Sequence, residues 1–179
     1  MQEPPSITIE IIRRADEPRA KCTAMLLDGH PRIRLFHFPR VEAFDPEGKW
    51  VLAVGGPELD GELARVAAGD EPAPVGLVLV DTLWRKAEKL LGLLPEMKRV
   101  TLPAGWVTAY PRRSKLFDDP IGGLATNEAA YAGRVHTAED DRSLLNGYRW
   151  KEQFLEANQD HIRQSLTRAT ELRALRGAW

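Results

Sequence analysis

The spacing of hydrophobic positions changes several times along the chain. From Ser6 to Ile12, Ile7, Ile9 and Ile11 alternate with Thr8, Glu10 and Ile12, a period of two that predicts a strand with one buried face. "PRIRLFHF", Pro31 to Phe38, alternates in the same way through Ile33, Leu35 and Phe36, and Trp50 to Val54 forms a third β-like run. Gly55-Gly56 before Pro57 stops that run and opens a helix through Leu59, Leu63 and Val66. Residues 69–74 are polar and proline-bearing, as a loop would be. The next stretch, "GLVLVDTLWRKAEKLL" from Gly76 to Leu91, turns from a continuous apolar run into a helical one. Such a run predicts a central parallel strand covered on both faces, followed by a helix.

Val100 to Tyr110 reads as two short β-like pieces broken at Pro103-Ala104-Gly105, and residues 111–123 as a polar loop. Leu124 to Ala132 and Glu139 to Asn146 have helical spacing. From Tyr148 onward Trp150, Phe154, Ile162, Leu166, Ala169 and Leu172 give one apolar stripe on a long closing helix. Strands mixed with helices first, then helices alone, predict an α/β fold.

Composition narrows the classes. The 179 residues carry 25 Lys plus Arg against 26 Asp plus Glu, so a nucleic-acid surface has to come from local clustering of cations. A single cysteine, Cys22, excludes a disulfide framework and a cysteine-rich zinc site and fits a reducing cytosol. The acidic, proline-bearing start is unlike a signal peptide, and the apolar runs are too short to span a bilayer. A soluble cytoplasmic protein is expected. His30, His37, His136 and His161 lack metal-ligand spacing, so no metal is expected, and the histidines read as surface or hydrogen-bonded. Neither a G-x-S-x-G nor a Walker motif occurs.

The chemistry concentrates where the strand of Gly76 to Val80 ends, at Asp81 and Trp84. In parallel α/β sheets ligands bind beyond the carboxyl ends of the strands. Asp81 could cap the following helix, for about 1 kcal/mol, with Trp84 a core aromatic. Alternatively Asp81 faces a ligand amine and the indole walls it.

Five segments follow one another in a telling order: "KCTAMLL" (21–27), "GLVLVDTLW" (76–84), "TLPAGWVTAYP" (101–111), "GLATNEAAYAG" (123–133) and "LLNGYRWKEQFLEANQ" (144–159). Together they resemble the small-subunit ribosomal RNA aminocarboxypropyltransferase family, with its K-C-T/S, V-D-x-S-W, L-P-x-L-V-A-A-N-P, L-S-x-x-E-A and F-x-W-G-x-x-F-L-x-x-N segments. A more distant likeness is to the DTW-domain transferases acting on tRNA. The chain departs from the family at Leu83, where the family has Ser, and at Ala125, where Thr126 stands beside the lost Ser. It departs again at Tyr110 to Lys115, which replace the family's N-P-V-N-Y-G loop.

The resemblance implies an N-terminal α/β lobe (1–98) and a C-terminal SPOUT-like lobe (99–179) with a deep trefoil knot, S-adenosylmethionine lying between them. On it, Thr23 fixes the methionine carboxylate, Asp81 holds the amino group, Trp84 packs on the ligand, and the backbone of Val80 meets the ribose. Leu102 and Pro103, with the main chain at Gly122, Gly123 and Leu124, form the adenine cradle, and Thr126 substitutes for the missing Ser. Asp81 is also the one carboxylate available as a catalytic base. The implied activity is transfer of the aminocarboxypropyl group to a pyrimidine nitrogen in ribosomal RNA, by a monomer. The alternatives are an RNA methyltransferase or a noncatalytic RNA-binding assembly factor.

Two cation clusters are candidate RNA contacts. Arg112, Arg113 and Lys115 stand beside Tyr110, which could stack on an extruded base. Arg13, Arg14, Arg19 and Lys21 precede Thr23, and Lys98 and Arg99 could extend the surface. Glu128 could orient the neighbouring loop or complement a helix dipole.

Overall fold

The computed structural model describes residues 7–16, 18, 22–111 and 123–176; of Trp84 it describes the backbone. Among these residues five strands form one sheet: β1 (Thr8–Arg14), β2 (Ile33–Phe38), β3 (Lys49–Leu52), β4 (Gly76–Asp81) and β5 (Lys98–Val100), in the order β2-β1-β4-β3-β5. Every pairing is parallel. The helices are α1 (Leu59–Ala68), α2 (Trp84–Leu91), α3 (Thr126–His136), α4 (Lys151–Ala157) and α5 (Gln159–Arg176), with 3-10 turns at Thr23–Leu27 and Arg142–Leu145. The α/β expectation holds.

A parallel sheet is covered on both faces, and the two cores follow the period of two along the strands. Ile9, Ile11, Trp50, Leu77, Leu79 and Val100 belong to the larger core, packed with α1, α3 and the 3-10 turn at Thr23. Ile12, Val51 and Val78 belong to the smaller core on the other face, with Phe44 and Leu94. The expected one-sided character of β1 is therefore wrong. Glu10, on the supposedly polar face, is buried and accepts from Lys49 Nζ at 3.0 Å and Arg34 at 3.2 Å. A half-solvated strand reads as alternating, but a strand in a sheet covered on both faces buries its polar side chains too. They must then be matched by charge.

Helix α3 lies close on the sheet because Gly133 faces it: a Cβ there would come within 3.3–3.6 Å of Leu52, Leu77 and Ile9 side chains. Helix α1 stops at Gly69 in the left-handed conformation (φ +92°), its N–H capping the carbonyls of Arg65 and Val66. The expected single closing helix is divided at Asn158. Its amide accepts from Val107 N–H and donates to Val107 C=O, both at 2.8 Å, binding the 102–110 segment to the break. After the bridge at Thr101 that segment carries no strand, so the second β-like piece expected there is absent. The helix expected over Glu139 to Asn146 is the 3-10 turn Arg142–Leu145. No helix among the described residues is long and apolar enough to cross a membrane.

Candidate active site at the sheet switch point

The chain leaves β1 toward β2 at one edge of the sheet, and leaves β4 toward β5 at the other. Adjacent strands whose connections diverge open a crevice beyond their carboxyl ends, the usual ligand position in an open parallel sheet. Arg13 of β1 and Asp81 of β4 are register partners at that point. Each continues an odd-numbered row of buried residues, Ile9 and Ile11 in one strand, Leu77 and Leu79 in the other, so both face α3 and the 3-10 turn.

Asp81 does not cap α2. The N-cap position is Leu83, with no side-chain cap. Instead Asp81 Oδ1 accepts from the Thr126 hydroxyl at 2.5 Å and Oδ2 from the Cys22 thiol at 2.9 Å. Thr126 also donates its backbone N–H to the Thr23 hydroxyl oxygen at 3.0 Å. One residue at the start of α3 thus holds Thr23 and Asp81 together across 103 and 45 positions of sequence. A threonine hydroxyl has one donor and two acceptor sites. With its oxygen accepting from Thr126, Thr23 keeps an O–H to give to a ligand.

Cys22 is half-buried and belongs to the site. Burial, and next the Asp81 carboxylate, push its thiol above the ordinary range, so the sulfur keeps its hydrogen. Arg13 donates from Nε to Cys22 Sγ at 3.2 Å and lies 3.8 Å from Asp81 Oδ2. Only 1 % exposed, it cannot form part of an external RNA surface, and that expectation is corrected. The signal was present in the row Ile7, Ile9, Ile11, Arg13, which puts a cation on a buried face.

Around this centre Leu124 is buried, while Leu102, Pro103 and Gly123 are half-exposed. Leu102 packs against the larger core, and Val80 borders the smaller one. Glu128 is fully buried and does more than complement a helix dipole. It accepts from Ala125 N–H (2.9 Å), Thr108 Oγ1 (2.6 Å), Ala109 N–H (2.9 Å) and Tyr148 Oη (2.7 Å). Those bonds tether the 108–110 segment to the start of α3.

Superposition on known structures places this architecture. No protein-family model and no curated protein matches the chain. The solved structure of the SAM-dependent rRNA:acp-transferase Tsr3 from Vulcanisaeta distributa matches with a TM-score of 0.65 and 23% sequence identity, over 99% of this chain and 91% of that one. The two proteins share a fold. The shared fold is a mixed α/β architecture, and here the switch point between β1 and β4 holds the polar centre of Arg13, Cys22, Thr23, Asp81 and Thr126.

The remaining candidates disperse. Tyr110 is half-buried and stands edge-on to Trp150, ring centroids 5.3 Å apart, so that partner covers part of the ring expected to stack on a base. Arg14 bonds Asp16 at 2.6–2.8 Å. Lys98 pairs with Glu62 and Glu71 and lies 4.3 Å above the Trp50 ring, while Arg99 pairs with Glu88 at 2.9 and 3.1 Å. Both charges are compensated, against their expected use as an RNA surface. Arg19, Lys21, Arg112, Arg113, Lys115 and Gly122 lie outside the described residues, as do the contacts of the Trp84 side chain. Among the described residues no group of His, Cys, Asp and Glu could hold a metal ion.

Proposed function

We propose that this protein is a cytoplasmic transferase that moves the 3-amino-3-carboxypropyl group of S-adenosylmethionine to a pyrimidine ring nitrogen of structured RNA, ribosomal RNA first. One observation carries the reading. The fold shared along the chain with an rRNA:acp-transferase has, at its switch point, a donor and an acceptor suited to a zwitterionic amino acid end. Bound S-adenosylmethionine supplies a sulfonium whose carbon–sulfur bond breaks as the ring nitrogen forms the new C–N bond, leaving 5′-methylthioadenosine and a proton released to solvent.

The residues present fit that group. Asp81 receives the ligand ammonium, the spare O–H of Thr23 donates to its carboxylate, and Thr126 keeps the two at a fixed separation. Leu102, Pro103 and Leu124 offer the apolar wall, and Gly123 and Val80 the main chain, that a nucleoside needs. Trp84, opening α2 three residues after Asp81, is the proposed aromatic against the ligand. The site takes Thr23 and Asp81 from an N-terminal part, residues 1–98, and Thr126 from a C-terminal part, residues 99–179. Rate comes from aiming one of three sulfonium carbons at the nucleophile and shielding the others. Arg14, Arg19, Lys21, Arg112, Arg113 and Lys115, with Tyr110, are the proposed RNA contacts.

S-adenosylmethionine labelled separately in its methyl and carboxyl carbons, incubated with RNA, tests this. Carboxyl label should appear on RNA and methyl label on 5′-methylthioadenosine. Methyl label on RNA would make the protein a methyltransferase, and neither label, with RNA affinity retained, an assembly factor.

A further inference from the structure

We propose that Arg13 is a positioning residue for the ligand anchor Asp81 and acts through the thiol of Cys22. The inference rests on the reading above, with Asp81 as the carboxylate that receives the ligand amine. A guanidinium can only donate, whereas a thiol both donates and accepts weakly. With Arg13 Nε–H directed at Sγ at 3.2 Å, the sulfur accepts on that side and its own hydrogen is left for Asp81 Oδ2 at 2.9 Å. The order Arg13, Cys22, Asp81 therefore has one direction.

Its effect is orientational. Thr126 holds Oδ1 and Cys22 holds Oδ2, so the carboxylate plane cannot turn, and its remaining lone pairs have a fixed aim. Arg13 also supplies a buried positive charge 3.8 Å from Oδ2. Buried charges are tolerated when paired and hydrogen-bonded, so Arg13 and Asp81 each support the placement of the other. A carboxylate held by two donors beside a cation suits gripping an ammonium better than removing a ring proton. The arrangement assigns Asp81 the anchor role, and the ring proton a path to solvent.

The test compares S-adenosylmethionine with 5′-methylthioadenosine, which lacks the amino acid end, by titration calorimetry. Cys22→Ala and Arg13→Met should each weaken S-adenosylmethionine about tenfold, the worth of one charge-assisted hydrogen bond, and leave 5′-methylthioadenosine unchanged. Cys22→Ser, which keeps a donor and an acceptor, should restore most of the affinity, and Arg13→Lys part of it. Unchanged S-adenosylmethionine affinity in Cys22→Ala and Arg13→Met, or equal loss of both ligands, overturns the proposal. A second readout needs no ligand. With one cysteine in the chain, the infrared S–H stretch reports Cys22 alone; it should lie at the low frequency of a donating thiol and rise in Asp81→Ala and Arg13→Met. An unshifted band refutes the relay by itself, also where Arg13→Met folds poorly and Cys22→Ser or Arg13→Lys must serve. Wild-type protein that binds neither nucleoside refutes the functional reading, and this ligand with it.

Discussion

Two aspartates organise two polar centres of this protein, and they differ in what they leave unused. Asp60, in the first turn of α1, bonds His136 Nδ1 at 2.6 Å through Oδ1 and lies 3.6 Å from Arg168 through Oδ2. His136 Nε2 accepts from the Trp106 indole at 3.0 Å; since an indole can only donate, the ring proton is on Nδ1 and goes to Asp60. Asp60, His136 and Trp106 are all buried, and the set joins α1, α3, α5 and the 102–110 segment. At the switch point, beside Asp81, Thr23 has a hydroxyl hydrogen with no acceptor among the described residues. A closed network rigidifies a core, whereas spare hydrogen-bonding capacity at a sheet switch point is what a ligand completes.

Substitutions at matched positions can break this comparison. The largest loss of stability is expected from Asp60→Ala, which leaves His136 and Arg168 without their acceptor. It should cost about 2–4 kcal/mol and lower Tm by roughly 5–15 °C in a chain of this size, while the rise in Tm given by S-adenosylmethionine persists. Asp81→Asn should do the reverse in kind, weakening S-adenosylmethionine about 10- to 100-fold by loss of an ionic anchor and shrinking that ligand-induced rise at fixed ligand concentration. An undiminished rise would remove Asp81 from the site. Thr23→Ala should weaken the same ligand about tenfold, with 5′-methylthioadenosine unaffected, by calorimetry.

Smaller effects sharpen the contrast. His161 packs edge-on to Trp106 at 4.9 Å with its Nε2 buried and unbonded. Burial, and next the neighbouring His136, lower its pKa below the ordinary 6.5. A histidine depressed in the folded state takes up protons on unfolding. Its contribution is intact above pH 6.5 and is lost as pH falls toward the folded value. Tm should therefore drop on acidification below that point, and His161→Gln should flatten the slope. At the other centre Cys22 should alkylate more slowly than a free cysteine at pH 8, because its thiol is held above the ordinary 9.0; Asp81→Asn should accelerate the reaction.

Much of this was legible in order along the chain. The continuous apolar run Gly76 to Val80 predicted a doubly covered strand, and Leu59, Leu63 and Val66 predicted one face of a helix, as β4 and α1 are. Thr23, Asp81 and Thr126 were each singled out, although no local pattern says that Thr126 bonds both others. Lys98 and Arg99 misled because a cation run carries no record of Glu62, Glu71 and Glu88, its partners from other elements. Nothing local marks Asn158 as the break in the closing helix, because its side-chain bonds to Val107 span 51 positions.

By itself the sequence determined the local periods: which residues alternate, which recur every three to four, and where an acid and an indole follow a strand. Those are set by φ/ψ preferences and solvent transfer within a few residues of chain. Tertiary structure alone decided that Arg13 and Asp81 become register partners, that Cys22 links them, and that Thr126 closes the site onto Thr23. Strand order and the approach of α3 arise from packing between segments far apart in the chain, and no local pattern encodes which partner a buried charge will meet.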